Sequence, residues 1–471
     1  MQTRPRVVLA ICCMSLLIVG MDVTIVNVAL PAIRHDIHAS VSGLQWITAA
    51  YTVTLASLLM LGGSTADRLG RVRVFQFGLA VFTVASLGCS LAPGIGWLVA
   101  FRVLQGVGGS MLNPVAMSII RNTFEDPRER AQAIGIWAAV VGISMALGPV
   151  LGGALVGLSW RAVFLVNIPI GLAAIALTAR FVPESRAERA RRPDPVGQVL
   201  VMAMLATLTS SIIEGPRLGW GSPAELALAA TAATALVALV RHELRTVDPL
   251  IELRFFNSRP FAAATVIAVA AFTAFAGFLF VNTLYLQEVR GLSPVNAGLC
   301  TLPIAAMTIV FGPISGRVVG ARGVRLPLVI GGLGMGLSAL MLVSLSAHTS
   351  LGWLLGAYFV FGLGFGAVNP PITNTAVSGM PPSQAGVAAA VASTSRMVGQ
   401  TLGVAVVGAV VTAGLSGSLH DHLAAATHAG WWLIAGLGAV IVALGLGAST
   451  QGAQASAERT ALRLREAPQV A

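Results

Sequence analysis

The chain has 471 residues, of which 56% are hydrophobic and only 10% are charged, whereas about 25% of residues are charged in an ordinary soluble protein. With a mean hydropathy of +0.84 it cannot cover a water-facing surface, so most of its surface is expected to face lipid. The net charge of +11 does not indicate nucleic-acid binding, because the arginines lie in short clusters between apolar runs. All 29 basic residues are arginine, so no P-loop lysine exists, and any active transport must use an ion gradient or a separate subunit.

Fourteen apolar runs of spanning length follow in chain order. They lie near residues 7–30, 44–65, 74–92, 96–118, 133–157, 161–181, 196–213, 222–240, 260–284, 295–316, 326–346, 350–377, 386–414 and 429–448. The first run is too long for a secretory signal, and no small-residue cleavage site follows it. We therefore expect an all-α integral membrane protein with 14 transmembrane helices. The expected division is a six-helix bundle over 1–181, cytoplasmic linkers and two extra helices over 182–259, a second six-helix bundle over 260–448 and a tail over 449–471.

Arginine placement predicts the orientation of these spans. If the amino terminus is cytoplasmic, 23 arginines fall in segments predicted inside and 4 fall in loops predicted outside. This asymmetry follows the positive-inside rule and predicts that both termini are cytoplasmic. The polar residues after Ser449 are expected to form either a short surface helix or a disordered tail.

The two groups of six runs share a spacing that indicates repeated halves. Gly106 and Gly108 are followed by Asn113-Pro114, and Gly362 and Gly364 are followed by Asn369-Pro370 at the same spacing.

Asp22 is the only carboxylate deep within a predicted span, about 5 Å beyond the midpoint of the first run. An ionised carboxylate there costs about 2.5–3.5 kcal/mol by insertion scales, so it should face a polar cavity, pair with a cation or be protonated. Asp22 is therefore a candidate proton carrier. Arg102, in the fourth run, is its natural partner, either in a permanent pair that only holds helices together or in one that breaks during transport.

Two further segments carry distinctive residues. A short loop predicted to be cytoplasmic contains Gly63, Asp67, Arg68, Gly70, Arg71 and Arg73. Asp67 is expected to cap the following helix or to accept hydrogen bonds from a neighbouring helix start, unless the arginines serve only as orientation anchors. The fifth run contains Gly142, Gly148, Pro149, Gly152 and Gly153, where small residues permit close packing and proline favours a bend or hinge.

These segments together resemble the fourteen-helix drug:proton antiporter family of the major facilitator superfamily. The stretch from Met21 to Pro31 is similar to the first-helix motif of that family. Gly63 to Arg73 resembles its cytoplasmic gate, with Val72 where a basic residue is usual; Arg102 to Gly109 resembles its proton-relay motif, and Gly135 to Gly153 its antiporter motif. The resemblance implies export, and it implies residence in a bacterial plasma membrane.

Polar residues elsewhere in the spans are candidates for a central substrate cavity, although such side chains more often bond a neighbouring helix. They are Asn27, Trp46, Tyr51, Asn113, Asn282, Tyr285, Asn369, Asn374, Arg396 and Gln400. Glu214 and Glu288 lie near outer span ends and are expected to be solvated.

The leading hypothesis is a proton-coupled exporter of small hydrophobic compounds, neutral or monocationic, that acts by alternating access as a monomer. A lipid or metabolite exporter and an uptake symporter are the alternatives on the same scaffold, and a non-transporting sensor has no extra soluble domain to support it. No cofactor and no metal site are expected, with the proton as coupling ion. An enzyme is not expected, because no nucleophile–base or metal-ligand constellation occurs in the sequence.

Overall fold

The computed structural model describes residues 4–187, 193–246, 248–378, 380–381, 384–415 and 419–466. Every regular element in these residues is a helix. The helices are α1 (Pro5–Ile37), α2 (Val41–Leu69), α3 (Arg71–Leu91), α4 (Ile95–Thr123), α5 (Pro127–Val156), α6 (Ala162–Leu165), α7 (Asn167–Phe181), α8 (Pro195–Leu218), α9 (Pro223–Glu243), α10 (Arg259–Leu284), α11 (Pro294–Cys300), α12 (Leu302–Arg322), α13 (Arg325–Leu342), α14 (Leu351–Val377), α15 (Ala385–Leu402), α16 (Gly408–Gly414), α17 (Leu419–Ala448) and α18 (Gln451–Glu466). A 3₁₀ turn at Leu253–Asn257 precedes α10, and π-helical turns follow α10 at Tyr285–Val289 and α15 at Gly403–Val407.

All fourteen predicted spans coincide with helices. Among the described residues, 13 helices are long and apolar enough to cross a bilayer, with α6 and α7 counted as one, α11 and α12 counted as one, and each π-helical turn joined to its neighbours. The remaining predicted span, near 133–157, is α5, whose described apolar part is Ile143–Val156. Several helices continue past the apolar run, α1 to Ile37 and α2 to Leu69, because backbone hydrogen bonding does not stop where the side chains become polar.

Local sequence signals fix where several helices begin. The Ser40 hydroxyl accepts a hydrogen bond from the Gly43 amide at 3.1 Å, and Asp126 accepts from the amides of Arg128 and Glu129 at 2.9 Å. Helices α5 and α8 each begin at a proline, where the missing amide would have had no helical acceptor. These caps satisfy amides that would otherwise lack partners at the membrane boundary.

The chain forms two compact units. The first consists of Met1–Leu236 and Asn282–Leu302, and the second of Val237–Val281 and Pro303–Ala471. The first unit therefore holds α8 and most of α9 together with the first six spans. The four-part division made from the sequence stays a prediction.

The glycine spacing shared by the two halves has the same packing role in each unit. In α4, a Cβ on Gly106 would lie 2.8 Å from the Tyr51 carbonyl oxygen of α2, and one on Gly108 would lie 2.5 Å from the Phe82 nitrogen of α3. In α14, a Cβ on Gly362 would lie 2.5 Å from the Ile304 oxygen of α12, and one on Gly364 would lie 2.6 Å from the Met335 nitrogen of α13. Each motif thus lets one helix lie against two neighbours at backbone contact distance.

Helix α8, the first of the extra pair, is attached to α2 at both ends. The Gln198 side-chain amide donates to the Ser57 carbonyl oxygen at 2.5 Å. Near the other end, the Trp46 indole donates to Glu214 Oε1 at 2.8 Å. These bonds make α8 part of the first unit.

The polar carboxy-terminal segment forms a helix, α18, which decides between the two predicted states of the tail. The Arg259 amide at the start of α10 donates to Ser456 Oγ of α18 at 3.0 Å. The tail helix therefore caps the first spanning helix of the second unit.

Candidate functional site

Asp22 and Arg102 form a fully buried ion pair between α1 and α4. Arg102 Nη1 lies 2.5 Å from Asp22 Oδ2, and both side chains have 0% exposure. Gln105 bridges the pair: its Oε1 accepts from Arg102 Nη1 at 2.7 Å, and its Nε2 donates to Asp22 Oδ1 at 2.9 Å. Gln105 Nε2 also lies 2.9 Å from Ser86 Oγ, and the Asn167 amide donates to Asp22 Oδ1 at 3.4 Å. Asp22 thus accepts from three side chains that come from α4 and α7.

The remaining contacts of Arg102 hold the guanidinium in one orientation. Its Nε donates to the Ile47 carbonyl oxygen of α2 at 2.9 Å. The guanidinium carbon lies 4.2 Å from the centroid of the Tyr51 ring and 6.0 Å from that of Phe164. Its Nη2 has no hydrogen-bond partner among the described residues. Arg102 therefore joins α1, α2 and α4 around a single charge, with aromatic faces in place of water.

This network can change the connection between helices when one proton moves. Neutralising only one partner of a buried ion pair destabilises the structure, because the other charge stays buried without compensation. Protonation of Asp22 would have that effect on Arg102. The pair predicted from the sequence is present, and its role in proton coupling stays a prediction.

The polar residues predicted to line a cavity in the first half are mostly engaged with neighbouring helices. The Trp46 indole is bonded to Glu214, and the Tyr51 ring lies against Arg102. The Asn27 amide donates to the Val23 carbonyl oxygen one turn earlier, while its Oδ1 is buried without a partner among the described residues. Asn113 Oδ1 is likewise buried without a partner among them.

The other predicted cavity residues divide between the two units. Asn282 and Tyr285 are buried at the carboxyl end of α10 and its π-helical turn, within the first unit. Asn369, Asn374, Arg396 and Gln400 belong to the second unit, where Asn374 is exposed, Gln400 is buried and the other two are partly exposed. Their part in substrate binding stays a prediction.

The prediction that Gly63 to Arg73 forms a loop is wrong. Helix α2 continues to Leu69 and α3 begins at Arg71, so only Gly70 lies between them. Gly70 has a φ of 115°, a region that favours glycine, and a Cβ there would lie 2.8 Å from the Glu184 carboxylate. The polar residues from Gly63 to Arg73 can remain helical because the single non-helical residue, Gly70, is enough to change the chain direction between α2 and α3.

Asp67 does not cap α3 in this structure. It accepts from Arg71 Nε at 3.1 Å and from Nη2 at 2.9 Å, one turn along the chain. Glu184, in the segment after α7, caps α3 instead: its carboxylate accepts from the Val72 amide at 3.0 Å and from the Arg73 amide at 3.2 Å. A carboxylate at a helix amino terminus is also stabilised by the helix dipole.

The same segment is joined to the junction of α2 and α3 by its backbone. The Arg71 amide donates to the Ser185 carbonyl oxygen at 2.9 Å, and the Ala187 amide donates to the Asp67 carbonyl oxygen at 3.1 Å. Arg68 and Arg73 are exposed, and Arg73 Nε lies 3.9 Å from Glu184 Oε2. Sequence reasoning missed Glu184 because nothing local links the segment after α7 to the start of α3.

The glycines of α5 lie at backbone contact distance from two neighbouring elements. A Cβ on Gly152 would lie 3.0 Å from the Ile25 carbonyl oxygen of α1, and one on Gly148 would lie 1.9 Å from Thr24 Oγ1. A Cβ on Gly153 would lie 2.6 Å from the Pro294 carbonyl oxygen at the start of α11. Pro149 lies inside the helix, which is continuous over Pro127–Val156, while the surroundings of Gly142 lie outside what the structure describes. The close packing is therefore observed, and the hinge stays a prediction.

The expectation that Glu214 and Glu288 are solvated is wrong. Their side chains are 18% and 10% exposed. Glu214 accepts from Trp46 and from Arg217 Nε at 2.7 Å, and Glu288 accepts from Arg34 Nη1 at 3.2 Å. Position near the end of a span did not predict solvation, because each carboxylate has an arginine within reach.

A family model decides the classification. Residues 12–404 match the model of the Major Facilitator Superfamily. This chain belongs to the Major Facilitator Superfamily. Its helical fold and repeated glycine spacing agree with that membership.

Relatives of this major facilitator carry names of resistance and efflux proteins. It is 36% identical over 411 residues to the multidrug resistance protein Stp of Mycobacterium tuberculosis, covering 87% of this chain and 76% of that protein. It is 38% identical over 428 residues to the tetracenomycin C resistance and export protein of Streptomyces glaucescens, covering 90% and 79% respectively. The methylenomycin A resistance protein of Streptomyces coelicolor is 35% identical over 412 residues, covering 86% and 85%.

A solved structure has the same fold. It is the crystal structure of a bacterial homologue of the human lysosomal transporter Spinster in an inward-facing and unoccupied conformation. The TM-score is 0.67 at 18% identity over 98% of both chains.

Proposed function

We propose that this chain is a proton-coupled exporter of small hydrophobic compounds, including antibiotics, in a bacterial plasma membrane. The observation that carries the proposal is the buried Asp22–Arg102 pair, the single ion pair with 0% exposure on both sides in the described part of the chain. The names of the relatives support export of antibiotics as the activity. The proton is the coupling ion, no cofactor is needed, and the monomer is expected to be the working form.

The proton acts through the bonds of Asp22. In the ionised state its two oxygens accept from Arg102, Gln105 and Asn167, which attach α1 to α4 and α7. Protonation removes the charge that Arg102 neutralises and converts one oxygen into a donor, so the attachment weakens. Because α1 also packs on Gly148 and Gly152 of α5, a shift of α1 is transmitted to α5. Exchange of substrate against proton follows if the two arrangements open the binding site to opposite sides.

Transport in inverted membrane vesicles tests this proposal. When the vesicle lumen is acidified, N-phenyl-1-naphthylamine, ethidium and a panel of antibiotics should accumulate inside, and a protonophore should abolish accumulation. Addition of substrate to vesicles with an established pH gradient should release protons, read with a pH-sensitive dye. Movement of a substrate out of the vesicles together with protons would identify an uptake symporter instead. Transfer of lipid alone would identify a lipid exporter.

Both termini are expected in the cytoplasm, from the excess of arginine in the segments assigned there. Reporter fusions at residues 4 and 466 test this orientation. A reporter active on the outer side at either end would contradict it.

A further inference from the structure

Arg396 lies within a predicted span and forms no ion pair with a carboxylate in the part of the chain that the structure describes. Between residues 260 and 448 the sequence contains only two acidic residues, Glu288 and Asp421. Glu288 belongs to the first unit and accepts from Arg34. Asp421 follows the end of the span Gly386–Gly414, and that end is about 27 Å along the helix from Arg396 at 1.5 Å per residue. Arg396 therefore lies about 15 Å inside this span, and among the described residues no carboxylate forms an ion pair with it.

The guanidinium has one side-chain partner and several unused donors. Its Nη2 donates to Thr373 Oγ1 of α14, and its Nε is buried without an acceptor among the described residues. An arginine has five N–H donors in a planar fork that fits an oxyanion with two parallel hydrogen bonds. The side chain as a whole is partly exposed. A charge kept at membrane depth without a carboxylate is costly unless something else compensates it.

The surroundings of Arg396 suit an aromatic body attached to the anion. The guanidinium carbon lies 5.9 Å from the ring centroid of Phe272 in α10. Phe272 belongs to an aromatic cluster with Phe275 and Phe365. The ring centroids of Phe272 and Phe365 are 5.2 Å apart, and those of Phe275 and Phe365 are 4.3 Å apart. Gln400, one turn after Arg396 on α15, has a buried Oε1 with no partner among the described residues. A charged fork, an aromatic wall and an unused amide oxygen thus occur together.

We propose that Arg396 binds an anionic oxygen group, a carboxylate or sulfonate, on an aromatic compound that this protein exports. The inference rests on the proposed function and names its substrate class. It differs from the expectation of neutral or monocationic substrates. Asp22 is already paired with Arg102, whereas no carboxylate among the described residues pairs with Arg396.

Two probes with one skeleton test the charge requirement. 8-Anilinonaphthalene-1-sulfonate is an anion, and N-phenyl-1-naphthylamine is its uncharged counterpart. Binding of each to the purified protein in zwitterionic detergent micelles is measured by fluorescence, with protein-free micelles subtracted. Arg396→Gln should weaken binding of the anion by about tenfold or more, as expected for loss of a charge-assisted bond, and change binding of the neutral probe by less than about twofold. Arg396→Lys keeps the charge but not the fork, and should lie between.

Matched controls separate this site from a structural anchor. Arg325→Gln removes an exposed arginine at the start of α13 and should bind both probes as the unmodified protein does. If Arg396→Gln is not recovered in folded form, Arg396→Lys provides the test instead. It should weaken binding of the anionic probe more than binding of the neutral probe. Equal weakening for both probes in a folded variant would show that Arg396 only links α15 to α14, and unchanged binding would show that it does not meet the ligand. Either result overturns the proposal.

A lipid phosphate offers the same chemistry as a carboxylate, so the titration is repeated with phosphatidylglycerol added to the micelles. If the lipid displaces the anionic probe stoichiometrically from the unmodified protein but not from Arg396→Gln, the site belongs to the membrane and the substrate assignment fails. Transport in inverted vesicles is then compared for the two probes. Probe binding that depends on Arg396 without any export would contradict the proposed function while leaving the anion site in place.

Discussion

Asp22 can couple protonation to helix packing because it lies among hydrogen-bond donors and not in purely apolar surroundings. Its oxygens accept from Arg102, Gln105 and Asn167, so neutralising it alters three side-chain bonds at once. A buried charge that loses its partner destabilises the structure by about 3–5 kcal/mol, which is large enough to shift a conformational equilibrium by orders of magnitude. A single proton therefore has enough energetic effect at this position to drive a helix rearrangement.

Asp22→Asn should abolish proton-coupled export while the protein stays in the membrane. The amide has the shape of the protonated acid but cannot release a proton, so the cycle stops in the protonated-like arrangement. Export and substrate-induced proton release are measured in inverted vesicles, and probe binding is measured on the purified protein, where it should persist. Asp36→Asn is the matched control, since Asp36 lies at the end of the same helix and accepts from Trp160 and Arg161. Accumulation against a gradient by Asp22→Asn would show that the proton is carried elsewhere.

The sequence identified this pair, but it did not identify everything the pair touches. A carboxylate and an arginine inside apolar runs stand out because each is costly there. Ser86 and Asn167 carry no such signal, since neutral polar side chains are common in spans and usually bond a neighbouring helix. Their contacts depend on how α3, α4 and α7 pack, which no local pattern specifies.

Helix α5 depends on the absence of side chains at several positions. Gly148 and Gly152 face α1, while Gly153 faces the backbone at Pro294, so α5 packs against two elements of the first unit. A glycine against backbone atoms tolerates substitution less than one against a flexible side chain, because the backbone cannot rotate away.

Gly153→Ala should lower the thermal stability of the first unit and slow transport. The added methyl would lie 2.6 Å from the Pro294 oxygen and 2.8 Å from the Val295 Cα, and relieving such overpacking costs about 1–3 kcal/mol. Gly135→Ala is the control in the same helix, since nothing lies within 4 Å of a Cβ there. It should be neutral or stabilising by up to about 1 kcal/mol. Thermal unfolding in detergent and export rates measure both, and equal behaviour of the two variants would refute the packing role of Gly153.

Glu184 makes the start of α3 depend on a segment more than a hundred residues later in the sequence. Loss of a capping carboxylate costs about 0.5–2 kcal/mol. Glu184→Ala should therefore speed hydrogen exchange of the Val72 and Arg73 amides by up to about thirtyfold, at 1.4 kcal/mol per tenfold. Glu125→Ala, which removes an exposed carboxylate between α4 and α5, is the control and should leave exchange at α3 unchanged. Unchanged exchange in Glu184→Ala would mean that the backbone bond from Arg71 to Ser185 holds the cap without the side chain.

For the whole molecule, the apolar runs located all the spans because a bilayer imposes a length of about 20 residues on each helix. The apolar run near 196–213 predicted the extra helix α8. Its attachment to α2 through Gln198 and Glu214 was not predicted. The interpretation of Glu214 as a solvated residue failed for the same reason. Hydropathy reports the exposure of a helix to lipid, but the pairing of polar side chains between helices depends on their rotation about the helix axis.

The net charge moved per transport cycle depends on the charge of the substrate. Exchange of one proton for one neutral molecule moves a net charge, so it uses both the potential, about 2.3 kcal/mol per 100 mV, and the pH gradient, about 1.4 kcal/mol per unit. For a potential of about 100 mV and a pH difference of one unit, the two contributions add to about 3.7 kcal/mol, which sustains a substrate concentration ratio of about 500. Exchange for a monocation moves no net charge, whereas exchange for a monoanion moves two.

A potential imposed without a pH gradient should therefore rank the substrates by charge. In proteoliposomes with a valinomycin potassium potential, positive on the side from which protons enter, export should be strongest for 8-anilinonaphthalene-1-sulfonate. It should be intermediate for N-phenyl-1-naphthylamine and absent for ethidium. Asp22→Asn should show no response to the potential for any of them, because no proton is exchanged. Equal response of all three compounds in the unmodified protein would contradict a one-proton exchange, and would require the number of protons to vary with the charge of the substrate.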